Sequence, residues 1–74
     1  MLGKLPILSG KEVCGILSKQ GFVNIRQRGS HIIMQKKITG STITVPVPNH
    51  DEIKKGTLKS IIRQSNLSQS EFEI

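Results

Sequence analysis

The stretch Gln27-Arg28-Gly29-Ser30-His31 places one of two histidines directly after a Gly-Ser pair, with Arg26 just upstream. Imidazole is the side chain that can both take and give a proton near neutral pH. The guanidinium groups of Arg26 and Arg28 carry a permanent positive charge that matches phosphate geometry. A base, an acid and fixed cations are what cleavage of an RNA phosphodiester through its own 2′-OH requires. In that reading His31 moves the proton, and Arg26 and Arg28 hold the charged phosphate. In the other reading His31 is structural, bonded to a backbone carbonyl.

The remaining candidates are assigned by the same test. His50 is the second imidazole and could share the acid and base roles. Gly29 offers a positive φ or an unobstructed approach for a phosphate. Ser30 is expected to fix the turn by a local side-chain-to-backbone bond, since no base-and-oxyanion arrangement marks it as a nucleophile. Lys54-Lys55-Gly56-Thr57 leads into a helix start, where backbone N–H groups and the helix dipole favour phosphate. The same four residues also suit a solvated loop with a capping Thr57. Lys36, Lys37, Lys59 and Arg63 read as diffuse steering charge. The five acids, Glu12, Asp51, Glu52, Glu71 and Glu73, have no metal-ligand spacing, so no metal or other cofactor is expected.

Composition limits the classes available. The chain has 74 residues with 11 Lys and Arg against 5 acids, giving a net charge of +6 and a pI near 10. That balance points to a nucleic acid or an acidic protein surface as partner. Residues 1–74 read as one domain whose core is mostly Ile, Leu and Val, because there are two Phe and no Trp or Tyr. The lack of exposed aromatics argues against base stacking on Tyr or Trp. Cys14 is the sole cysteine, which excludes an internal disulfide, and its apolar neighbours read as burial of an inert thiol. Met1 to Leu8 is too short and too interrupted for a signal peptide, and no run approaches a membrane span. A cytoplasmic protein without membrane contact is expected.

The elements that must hold the turn follow from periodicity. Ser9 to Gln20 reads as a helix, with Ser9 and Glu12 spaced as a capping box and Leu8 and Val13 as a hydrophobic staple. Val13, Ile16 and Leu17 form its inward stripe, and Gly21 ends it. Strands are predicted at Phe22–Arg28, Ser30–Lys37 and Ser41–Val47. In the first, Val23 and Ile25 share one face while Asn24, Arg26 and Arg28 share the other. Ile32, Ile33 and Met34 blur the second, leaving the face of His31 open. Pro46 and Pro48 suit an edge strand. Thr57 is expected to cap a second helix with Leu58, Ile61 and Ile62 inward and Asn66 at its end. Ser68 and Glu71 repeat the capping-box spacing before a short last helix holding Phe72. The fold class is α+β, an antiparallel three-stranded sheet with helices packed on one face.

Three blocks together resemble the HicA (YcfA-like) toxin family of toxin–antitoxin pairs. They are Leu5-Pro6 with Ser9-Gly10-Lys11-Glu12; Gly21-Phe22 with Arg26 through His31; and Val47-Pro48-Asn49-His50 followed by Ile53, Lys55-Gly56-Thr57-Leu58 and Ile61-Ile62-Arg63-Gln64. The resemblance implies a fold like the double-stranded-RNA-binding domain and an endoribonuclease acting on mRNA; the lack of clustered carboxylates makes a metal-independent route the expectation. The resemblance also implies a HicB-like antitoxin that covers the active surface, a catalytic role for His31, and a structural Val-Pro-Asn-His turn around His50. Two positions depart from the family pattern: Ile32 stands where many members have a second histidine, and Met34 lies near the place of an aromatic. The competing readings are a non-catalytic RNA-binding module and a basic protein-interaction domain.

Overall fold

The computed structural model describes residues 5–73. Met1 to Lys4, which begin the N-terminal stretch discussed above, and Ile74 lie outside the described residues. The order is α1 (Gly10–Lys19), β1 (Val23–Arg28), β2 (His31–Ile38), β3 (Ser41–Pro48), α2 (Lys55–Ser65) and a 3-10 turn, η1 (Gln69–Phe72). The α+β architecture expected from the periodicity is the one found. The strands form one antiparallel sheet in the order β1-β2-β3.

The start of α1 follows its local sequence closely. The Ser9 side chain accepts from the Glu12 N–H, and the Glu12 carboxylate accepts from the Ser9 N–H, closing the capping box. Leu8 and Val13 are both buried around it, as a hydrophobic staple requires. Gly21 takes φ +95° beyond the helix end, a conformation glycine adopts without a Cβ penalty.

Among the described residues, helices cover only one face of the sheet. Ile32 and Met34 of β2 and Val45 and Val47 of β3 point into it. There they meet Val13 and Leu17 of α1, Leu58, Ile61 and Ile62 of α2, and Phe22 and Phe72. Burying such side chains contributes roughly 1.5–3 kcal/mol each, which is how a core with only two aromatics holds. Among the described residues nothing covers the opposite sheet face.

β1 corrects the expected alternation. Its pairing with β2 slips between Asn24 and Arg26, so Ile25 is an extra residue without a partner. A bulge of this kind reverses the phase of the side chains that follow. Val23 therefore shares the outer face with Arg26 and Arg28, and it is 61% exposed rather than in the core. Every residue of β1 is exposed.

The prolines behave as edge residues. β3 is an edge strand, and Pro46 and Pro48 stand two apart in it, opposite Ile33 and His31. Two residues apart on an edge strand, their missing N–H groups fall on the same side, where the solvent edge needs no ladder bond.

Two expected caps differ. α2 begins at Lys55, with Lys54 in the cap position and no side-chain cap bond, so Thr57 lies inside the first turn. Ser68 precedes η1 but makes no cap bond, and its hydroxyl pairs with that of Ser70 at 2.7 Å. Glu71 instead accepts from Gln20 Nε2 at 2.6 Å, tying η1 to the end of α1. The tertiary contact outcompetes the local box. Asn66 does end α2, in the left-handed region at φ 62°.

A candidate site on the open sheet face

The Gly29-Ser30 turn links Arg28 directly to His31, which are partners across β1 and β2. Gly29 has φ +58°, whereas Ser30 does not have positive φ. Positive φ at the first central residue alone is the type II′ pattern, whose twist suits a two-residue hairpin. A Cβ on Gly29 would meet nothing within 4 Å, so the turn presents open backbone to solvent. The local side-chain bond expected of Ser30 is made by Gln27, whose Nε2 donates to the Gly29 carbonyl at 3.2 Å. The Ser30 carbonyl accepts from the Asn49 N–H at 2.6 Å, which extends the β2–β3 pairing into the turn.

Because Ile32 and Met34 point inward, His31 and Ile33 point out. His31 is exposed on the solvent face, which answers what the alternation left open. Arg28, His31, Ile33 and Pro46 line an open concavity of about 300 Å³. A guanidinium and an imidazole thus sit over an aliphatic floor. Arg26 is the cross-strand partner of Ile33, so its side chain leaves the same face one row away.

The other expected residues lie around this cluster rather than in it. His50 is exposed, and its carbonyl accepts from the Gly10 N–H at 2.8 Å. The Ile53 N–H donates to the Leu8 carbonyl at 2.8 Å, so the β3–α2 connection is pinned to the start of α1 at two points. A Cβ at Gly10 would overlap the Pro48 carbonyl oxygen, and it would lie 3.0 Å from Asn49 Cα. Only glycine permits that approach. His50 thus holds the fold together through its main chain.

Lys54 and Lys55 are exposed at the start of α2 and do not line the His31 cavity. The chain path nevertheless brings them to the same end of the sheet. α1 begins against the end of β3, and Ile53, just before α2, is bonded to Leu8, just before α1, so both positive helix ends lie near the end of β3. The lack of a side-chain acceptor at Lys54 leaves α2's first N–H groups available to a ligand.

No group of three or more His, Cys, Asp or Glu among the described residues is placed to hold a metal ion. No helix among them is long and apolar enough to cross a membrane. Ile33 and Pro46 were missed as site residues. Pro46 lies fifteen positions from His31 in sequence, and only the strand register places it beside that residue. An outward residue two places beyond His31 is the signal that could have flagged Ile33.

Sheet, helices and turn define a small basic α+β protein with an exposed histidine on its uncovered face. The family model described as the HicA toxin of bacterial toxin–antitoxin systems matches residues 10–67, and the chain belongs to that family. It is a toxin of a toxin–antitoxin system, and an antitoxin partner comes with that membership. No curated protein matches the chain significantly.

Proposed function

We propose that this toxin is an mRNA interferase, an endoribonuclease that cuts by metal-free transesterification with His31 as its catalytic histidine. The observation that carries the reading is the position of His31: exposed, beside Arg28 in one concavity, at a turn with open backbone. The substrate 2′-OH attacks phosphorus as the P–O5′ bond breaks, leaving a 2′,3′-cyclic phosphate and a 5′-OH. One proton leaves the 2′-OH and one arrives at O5′; in this reading His31 carries one of these transfers, as base or as acid, and water carries the other. Arg26 and Arg28 stabilise the charge that builds on the phosphoryl oxygens.

The Gly29-Ser30 backbone, Lys54 and Lys55 supply phosphate contacts along the same end of the fold. The side chains that line the concavity with His31 are a guanidinium and two aliphatic groups, with no carboxylate of the kind that holds Mg²⁺; this supports a metal-independent route. His50 acts through its main chain, with a helper role for its imidazole as the subsidiary reading. An mRNA substrate places the protein in the cytoplasm. A HicB-like antitoxin silences it by covering the basic open face.

The test is cleavage of a long single-stranded RNA in EDTA by the wild type and by His31→Ala, after both are shown to be folded and to bind RNA. Wild-type cleavage that falls about 10²–10⁴-fold in the variant is the expected result. If neither protein cuts while both bind, the reading fails and a non-catalytic RNA-binding module replaces it.

A further inference from the structure

Beyond His31 the outer row of β2 continues through Ile33, Gln35 and Lys37. Their cross-strand neighbours complete four rows: Arg28 and Pro48 flank His31, Arg26 and Pro46 flank Ile33, Val23 and Thr44 flank Gln35, and Thr42 faces Lys37. Lys37 lies six residue steps along the strand from His31, about 20 Å at roughly 3.3 Å per residue. Cations therefore stand at both ends, with apolar and hydrogen-bonding surface between them. Gln35 Nε2 donates to Thr44 Oγ1 at 3.2 Å, which ties the middle row of β2 to β3. A second concavity of about 410 Å³, lined by Gly21, Val23, Ile25, Gln35 and Lys37, follows the first along the face. Val23 is 61% exposed and Ile25 is 42% exposed, although neither packs in the core.

We propose that this row is a track for single-stranded RNA, with an unpaired base seated on Ile33 and Pro46 next to the bond that His31 acts on. The inference rests on the ribonuclease reading for the identity of the cut bond, but the track stands on its own geometry. Charge selects the occupant: Arg26, Arg28 and Lys37 border the apolar seats, in a chain of net charge +6. A duplex cannot use such a seat, because its bases are stacked inside and only sugars, phosphates and groove edges reach a flat protein surface. Apolar contact on aliphatic side chains discriminates poorly among bases, so weak sequence preference follows. Ile33 and Pro46 are positioning residues: they fix where a nucleotide lies and move no proton.

A fully 2′-O-methylated mixed-sequence oligonucleotide tests this without being cut, since its 2′ oxygen has no proton to lose. Its binding, single-stranded and as a duplex, is measured by fluorescence anisotropy on the full chain, together with ¹³C-methyl NMR shifts of the isoleucines. Ile33→Thr keeps the β-branched shape that suits a strand, and Ile7→Thr, the same change at an exposed isoleucine outside the sheet, serves as the control. The expected result is a shift of the Ile33 methyl, tighter binding of the single strand than of the duplex, and about three- to tenfold weaker binding by Ile33→Thr, the loss of one or two methylene contacts. The salt dependence should not change, because no phosphate contact is removed.

Shifts confined to the α2 start, or preference for the duplex, overturn the track. Failure of both forms to bind also overturns it and assigns the apolar face to a protein partner. Because the probe cannot be cleaved, an inactive enzyme that still binds here removes the ribonuclease reading and leaves the track standing.

Discussion

Gly10 and Gly15 lie in the same helix, and the structure assigns their replacement by alanine opposite signs. At Gly15 a new Cβ meets nothing within 4 Å, so only helix propensity changes, and Gly15→Ala should stabilise by about 0.5–1 kcal/mol. At Gly10 the Cβ would overlap the Pro48 carbonyl oxygen and crowd Asn49 Cα at 3.0 Å and the Pro48 carbonyl carbon at 3.1 Å. All three are backbone atoms and cannot rotate away.

Relief requires α1 and the β3–α2 connection to separate, which stretches the 2.8 Å bond from the Gly10 N–H to the His50 carbonyl. Overpacking of this kind costs about 1–3 kcal/mol, and loss of the hydrogen bond adds about 1 kcal/mol. Gly10→Ala should therefore destabilise by about 2–4 kcal/mol. For a domain of this size that lowers Tm by roughly 10–25 °C. Urea unfolding followed by far-UV circular dichroism measures both variants, with midpoints compared at constant m-value. A Gly10→Ala protein within about 0.5 kcal/mol of wild type, the range of an uncrowded surface substitution, refutes the close approach. A destabilised Gly15→Ala protein refutes the assignment of an open helix surface there.

Two further perturbations test the core and the thiol. Phe72 is fully buried at the end of η1, and Phe72→Ala should lose about 3–5 kcal/mol; a loss under 1 kcal/mol in the same urea assay would show that η1 does not close the core. Cys14 is half-buried rather than fully enclosed as its apolar neighbours suggest, and that partial burial pushes its thiol above its ordinary 9.0. Iodoacetamide should accordingly label it more slowly in the native protein than in urea at pH 8, and equal rates would contradict its burial. A raised thiol pKa favours the fold below the unfolded value and is lost as pH rises through the folded one. This contribution to stability should therefore fade above about pH 9, and Cys14→Ser should remove that fading.

Local chemistry in the sequence determined much of the scaffold. The Ser9/Glu12 box, the Gly21 and Asn66 helix ends, the inward stripes of both helices and the Gly29-Ser30 hairpin all depend on neighbours within a few residues. Such interactions act in the same way wherever the chain lies. His31 and its arginines could also be singled out, because residue type alone names the chemistry proposed for them. What the sequence left open depended on partners distant in the chain. The bulge at Ile25 is a property of the β1–β2 pairing, and it moved Val23 to the open face. The Ser68/Glu71 spacing promised a cap, but Gln20 lay closer in space and took the carboxylate. Ile33 and Pro46 join His31 only because register aligns three strands and the helices cover the other side. Side-chain type names a possible chemistry, whereas strand register and the covered face decide which side chains meet.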